Sequence, residues 1–214
     1  AAAFCFFHPF AEGIMKKERN QHLRTIAKIA ILAAMADILM LFEFPLSFLA
    51  PGVYKLDFSD IPALLGGFAM GPIAGVLITL FKNLLHCFLP GTSTAFVGEF
   101  ANFVTGCAFI LPATLLYRFR KTQRRAVFGL AVGTVSLAAV GAVFNYFVLI
   151  PAFSELYGLP IENIVAMGSA VNPAIGNLAT LVVLAVAPFN LIKGALCSFV
   201  TLLLYKHVSP LLHR

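Results

Sequence analysis

The sequence predicts an all-α integral membrane protein, a bundle of six transmembrane helices with both termini cytoplasmic. Three observations carry that expectation. The 214 residues are 60% hydrophobic and only 11% charged, with a mean hydropathy of +0.94, whereas soluble domains carry about 25% charged residues. The apolar residues fall in long runs, as helices require; a membrane barrel shows alternating segments of about ten residues instead. Finally, twelve of the fifteen basic residues flank those runs. Lys16, Lys17, Arg19, Arg24 and Lys28 lie before or at the start of the first run. Arg118, Arg120, Lys121, Arg124 and Arg125 separate the fourth from the fifth, and Lys206 and Arg214 close the chain. Such clusters mark cytoplasmic loops, so the net charge of +6 reflects topology rather than nucleic-acid binding.

The elements follow in order. Residues 1–14, AAAFCFFHPFAEGI, are too short for a signal peptide and lack its basic region and cleavage site. Met15, just ahead of KKERN, reads as a native start, with 1–14 an extension and 15–214 a single membrane domain. The first span covers 25–42. The stretch IPALLGGFAMGPIAGVLITLF (61–81) has the length of one crossing. A single crossing there would put RFRKTQRR (118–125) on the opposite side from KKERNQHLR (16–24). A turn at Gly71-Pro72, a helix-breaking pair, places both on one side. The second and third spans are therefore 58–70 and 72–89, followed by 96–118 and 126–150. SELYGLPIENIVAMGSAVNP (154–173) reads as an outer loop, and Pro188 as a kink or start of the last span, 186–206. Tyr117 and Tyr205 fall at the inner interface and Tyr54, Tyr146 and Tyr157 at the outer one, where amphipathic rings belong.

With this topology the leftover polar residues become informative. Lys55, Lys82 and Lys193, the basic residues outside the clusters, map to the outer half, as do Asp37, Glu43, Asp57, Asp60, Glu99, Asn102 and Asn145. The pattern is the footprint of a cavity open to the outside and closed below. A lysine at the bilayer centre costs about 2.5–3.5 kcal/mol on insertion scales, so Lys193 needs company. It has Asn190 one turn away and Asn145 at similar depth on another helix. Together with 22 phenylalanines, three polar groups at one level suit a flat, polar-edged ligand. Glu99 and Asn102 share a face of the fourth span. At the outer end of the third span, Lys82 and His86 fit either interfacial snorkelling or ligand contact. Asp37 fits a helix–helix hydrogen bond or a loop anchor.

Several chemistries are missing. No G-x-x-x-x-G-K-[ST], H-E-x-x-H or G-x-S-x-G motif occurs. Cys5, Cys87, Cys107 and Cys197 have no metal or short pairing spacing, and the five histidines are scattered. No enzyme activity, metal or cofactor is expected, and a transporter built from this chain must take its energy from a partner.

KLDFSDIPALLGGFAMGPIAGVLITLFKNLLH (55–86), FNYFVLIPAF (144–153) and APFNLIKG (187–194) resemble the riboflavin-specific substrate-binding subunits (S components) of energy-coupling factor vitamin transporters. The likeness covers nearly the whole chain after Met15. The first block is shared by S components of several vitamins; PFNLIKG with the FNYF asparagine is the more telling signature. The resemblance implies a multi-pass subunit of a prokaryotic plasma membrane that binds riboflavin from outside. It would then join a transmembrane coupling protein and two cytoplasmic ATPases, which topple it to release the vitamin inside. It also implies that Leu56, Asp57 and Phe58, with Lys55, cover the site, and that Asn145, Asn190 and Lys193 hold the isoalloxazine ring.

Chemistry agrees. The pyrimidine edge of riboflavin presents C=O, N–H and C=O in a row, which two asparagines and a lysine can match, while phenylalanines cover the ring faces. Asp57, Glu99 or Asn102 would accept from ribityl hydroxyls. Ala30 and Ala34, one turn apart on the first helix, have the small-x-x-x-small spacing that lets helices approach closely; in the family, a first-helix alanine motif docks on the coupling protein. The alternatives are an S component for thiamine, pantothenate or a folate, or a membrane subunit without a transport role.

Overall fold

The computed structural model describes the backbone of residues 2–46, 54–91 and 94–212 and the side chains of residues 21–46, 54–89 and 94–205. The side chains of 1–14 and of Lys16, Lys17, Arg19, Lys206 and Arg214, on which part of the topology argument rests, lie outside the described set.

The chain opens with helix α1 (Ala2–Leu41). One face of its apolar part is buried through Ile29, Leu32, Ala33, Ala36 and Met40, while Ile26, Ile31, Met35 and Ile38 face outward. A short antiparallel pair follows, β1 (Phe44–Pro45) with β2 (Lys55–Leu56), in the register Phe44 opposite Leu56. Helices α2 (Asp60–Met70) and α3 (Pro72–His86) come next. Gly71, at φ +107°, makes the turn between them, and Pro72 opens α3. That φ suits glycine, and proline at a first helical position loses no hydrogen bond. The sequence reading of two helices here instead of one is what the structure shows.

Helix α4 (Val97–Phe119) packs closely on α5 (Gln123–Phe144). A Cβ at Gly129 would stand 2.6 Å from the Ala113 carbonyl oxygen, and one at Gly133 2.5 Å from that of Phe109. These glycines therefore let two backbones meet, as small residues do in membrane bundles. The N-terminus of α5 is capped by Thr122, whose hydroxyl accepts from the Arg125 amide.

Beyond Phe144 the sequence reading needs correction. The helix does not stop at 150. It continues through a π-helical turn, Asn145–Leu149, into α6 (Ile150–Tyr157), which ends at Gly158 in the left-handed conformation. The expected loop 154–173 also contains a helix, α7 (Ile161–Ser169). Its Ile161, Ile164 and Val165, at helical spacing, pack on a buried apolar cluster. The last helix starts earlier than 186 as well. α8 (Leu178–Leu181), capped reciprocally by Asn177 and Thr180, passes through another π turn, Val182–Val186, into α9 (Ala187–Leu212).

Proline explains both interruptions. A proline inside an α-helix removes one hydrogen bond and clashes with the carbonyl four residues back, and a π turn relieves this. The residue before Pro151 donates its amide to Asn145 O, and the residue before Pro188 donates to Val182 O, each five residues back. Pro188 thus lies inside the last helix, just past its π turn, and does not start it.

Among the described residues the chain forms seven continuous helices, four of them long and apolar enough to cross a membrane. One of the seven, α7, has nine residues and is too short to span. The core has two parts. The larger gathers Leu64, Ile78, Phe109, Ile110, Leu130 and Leu137. The smaller, near the hairpin, gathers Leu56, Ile150, Ile175, Leu181, Val186 and Phe189, and Phe58 packs against both. Tyr117 and Tyr205 pack edge-on against Phe68 and share a hydrogen bond between their hydroxyls. Tyr117 is only 6% exposed.

Candidate functional site

Between the two clusters lies a buried polar group. α9 places Asn190 and Lys193 one turn apart, and neither is more than 8% exposed. The Lys193 ammonium sits 2.7 Å from Asp57 Oδ2 and 3.8 Å from Asp60 Oδ2. Lys82, on α3, is fully buried; its Nζ donates to Asp60 Oδ1 at 2.5 Å and to Ser59 Oγ at 2.7 Å. The Ser59 hydroxyl in turn donates to Asp57 Oδ1. Five side chains from α3, α9 and the segment entering α2 therefore form a closed ring, Lys82–Ser59–Asp57–Lys193–Asp60. Two ammonium groups balance two carboxylates, which is how charges survive burial. Asp60 also occupies the first turn of α2, where the helix dipole favours a carboxylate.

Lys82 is thus neither a snorkelling residue nor a free ligand contact. A lysine near a helix end reads as interfacial from hydropathy alone, but the acidic segment before α2 folds over it. His86 is likewise engaged, with Nδ1 3.1 Å from Asp37 Oδ1. That contact ties α3 to α1 and is the helix–helix bond expected of Asp37. Burial raises the pKa of the Asp57 carboxyl, but the Lys193 and Lys82 charges outweigh it and hold the group well below the ordinary aspartate value.

The two asparagines meet at the Gly141 backbone. Asn145 Nδ2 donates to Gly141 O at 2.7 Å, and a Cβ on Gly141 would stand 2.7 Å from Asn190 Nδ2. Asn145 is the first residue of its π turn, so that turn fixes where its amide points. Tyr54 donates to Asn145 Oδ1 at 2.7 Å. Burial pushes the Tyr54 phenol above its usual range, so it remains a donor. The Asn190 amide donates to Val186 O at 3.1 Å, one turn back. Its Oδ1 accepts no hydrogen bond among the described residues. The Tyr54 and Phe189 rings lie 5.8 Å apart, and Leu56 and Phe58 close the apolar side.

The structure therefore brings together Asn145, Asn190, Lys193, Leu56, Asp57 and Phe58. Glu99 and Asn102 stand apart: Glu99 accepts from the Thr94 hydroxyl at 2.6 Å, and the Asn102 amide contacts Met40 Sδ at 3.5 Å. Ala30 and Ala34 lie on the outward face of α1. A cavity of about 480 Å³ under α7, lined by Ile161, Val165, Ile175 and Leu178 among others, holds none of these polar groups. Sequence reasoning missed Tyr54 and Ser59 as neighbours of the site; it placed Asp60 and Lys82 in the same outer half but missed that they pair with each other. The one available signal was an excess of charges of both signs in apolar surroundings.

Helices of membrane-crossing length around a buried cluster of polar and charged side chains define the class, a helical membrane protein. The substrate-specific component of ECF transporters is the family whose model matches residues 24–205, and the chain belongs to it. That family is one of transport components, not enzymes. The chain is 37% identical to a riboflavin transporter of Staphylococcus aureus, over 94% of this chain and 98% of that protein. It is 30% identical to a riboflavin transporter of Bacillus subtilis, over 88% and 93%. A solved S component of a bacterial ECF transporter superposes with a TM-score of 0.71 at 34% identity, covering 90% of this chain and 99% of that one.

Proposed function

We propose that the chain is the riboflavin-binding S component of an ECF importer in a prokaryotic plasma membrane. The observation that supports it most is the convergence of Asn145, Asn190 and Lys193, in a chain whose relatives are riboflavin transporters. Two amides offer donors and acceptors and the ammonium offers donors only, which matches the carbonyl, N–H, carbonyl edge of the isoalloxazine ring. Tyr54 and Phe189 supply flat apolar surface beside it.

Leu56, Asp57 and Phe58 cover the bound ring, and Asp57 takes a ribityl hydroxyl. Glu99 and Asn102 stand apart from the Asn145–Asn190–Lys193 group and serve the far end of the ribityl chain; the contact of Phe100 on α4 with Phe144, whose rings lie 5.9 Å apart, supports that reading. Six crossings with both termini cytoplasmic put this end of the bundle outside. α7 then lies on the outer surface. The outward stripe of α1, with Ala30 and Ala34 at its small positions, is the face that meets the coupling protein, which carries the two ATPases.

Purified protein titrated with riboflavin, flavin mononucleotide, thiamine and pantothenate tests the reading. Saturable binding of riboflavin, with the visible spectrum of bound flavin, is expected. Binding of thiamine or pantothenate with no flavin binding would assign the chain to another vitamin.

A further inference from the structure

The riboflavin reading uses Lys193 but leaves Lys82, Asp60 and Ser59 without a role. The geometry points to one: Lys82 and Asp60 form a positioning pair that aims the Lys193 ammonium at the ligand edge. This inference rests on the riboflavin reading above.

Lys82 is fully buried although lysine is among the residues least often found so. Its two bonds face opposite ways around the ring. One holds Asp60 Oδ1 at 2.5 Å, and the other holds Ser59 Oγ at 2.7 Å, whose proton goes to Asp57. The Ser59 amide also donates to Asp57 Oδ1 at 2.9 Å. The Asp57 carbonyl accepts from Cys197 Sγ at 3.8 Å. Asp57 is thereby fixed on three sides, with Oδ2 left to Lys193 at 2.7 Å.

Asp60 is the competing acceptor. Its Oδ2 lies 3.8 Å from Lys193 Nζ, beyond hydrogen-bond length, because Lys82 holds the other oxygen. An Asp60 without Lys82 would draw the Lys193 ammonium toward α2, away from Asp57 and from the asparagine side of the pocket. Lys82 does not touch the ligand in this scheme; it acts through Asp60 and Asp57 on the group that does.

Single substitutions would strand a buried charge and risk the fold, so the test uses pairs that keep the ring neutral. Asp60→Asn/Lys82→Met removes one ion pair, and Asp57→Asn/Lys193→Met removes the other. Riboflavin affinity, the visible band position of bound flavin and the melting temperature of the ligand-free protein are measured for wild type, both pairs and the quadruple variant. The first pair deletes the competing carboxylate along with Lys82, but it also removes the Lys82 hydrogen bond to Ser59 that anchors Asp57. It is therefore expected to lower affinity about tenfold, the worth of roughly one buried hydrogen bond, and to shift the bound band with little change in melting temperature. In the quadruple variant, where Lys193 is gone, it adds no penalty to that of the second pair. An unchanged affinity and band in the first pair overturn the inference. So does a penalty that persists in full without Lys193, or an affinity loss that follows the melting temperature with an unshifted band. Failure of the wild type to bind riboflavin overturns the functional reading instead, and shows in the same titration before any variant is made.

Discussion

Lys193 shows how one side chain can serve both fold and ligand. Its ammonium is compensated by Asp57 at 2.7 Å, so Lys193→Ala costs stability as well as binding. The loss is expected at about 3–5 kcal/mol because it leaves a buried carboxylate unpaired; chemical or thermal unfolding of the variant measures it. Asn190→Ala carries no charge penalty. It should weaken riboflavin binding by about 1–3 kcal/mol, the cost of leaving a buried polar partner unsatisfied, while the ligand-free melting temperature stays near wild type. The folded pKa of Asp57 lies below its unperturbed value of 3.8. Its ion pair therefore contributes fully above that pH, and the contribution is lost as pH falls from there through the folded value. Melting curves should show no transition due to Asp57 between pH 5 and 8, and the acid limb below about pH 4 should flatten in the Asp57→Asn/Lys193→Met pair. Asn145, Asn190 and Lys193 were legible because polar residues interrupt apolar runs. The partnership of Asp60 with Lys82 was not, since no helical or strand period connects the start of α2 to the far end of α3.

At the scale of elements, glycine and proline decide the geometry. Gly141 exists for Asn190, whose amide nitrogen lies 2.7 Å from where a Cβ would be. Gly141→Ala should displace that amide and lower riboflavin affinity, with a smaller effect on folding, because a side chain can give way. Gly129→Ala instead meets the Ala113 backbone carbonyl at 2.6 Å and separates α4 from α5. It should lower the melting temperature whether or not ligand is present. The Gly71-Pro72 turn was readable because both residues signal it and the charge asymmetry demanded it. The π turns before Pro151 and Pro188 were not. Hydropathy is indifferent to one extra residue in a turn, yet that residue moves the following side chains to a new face. α7 escaped notice for a different reason: it is a short amphipathic helix between glycine and proline, and those residues read as loop.

For the whole molecule, composition and basic clusters were sufficient to establish a helical membrane protein, and the matched family agrees. The number of helices was harder to read, because α7 and the eleven-residue α2 are short segments that length rules handle poorly. Ala30 and Ala34, exposed on α1, lie on the face opposite the core contacts of Ile29, Ala33 and Ala36. Ala30→Trp or Ala34→Trp should leave riboflavin affinity of the isolated subunit unchanged and abolish uptake by the assembled complex, since bulk there prevents close helix contact. Vitamin uptake in cells, set against binding by the purified subunit, separates the two effects. The most direct measurement remains a riboflavin titration of the purified protein followed by its visible spectrum. The predicted result is saturable binding at one site per chain, with flavin bands shifted from those in water and weakened affinity in Asn190→Ala. A protein that stays colourless after riboflavin is added and excess removed, or an Asn190→Ala variant that binds as wild type does, would contradict it.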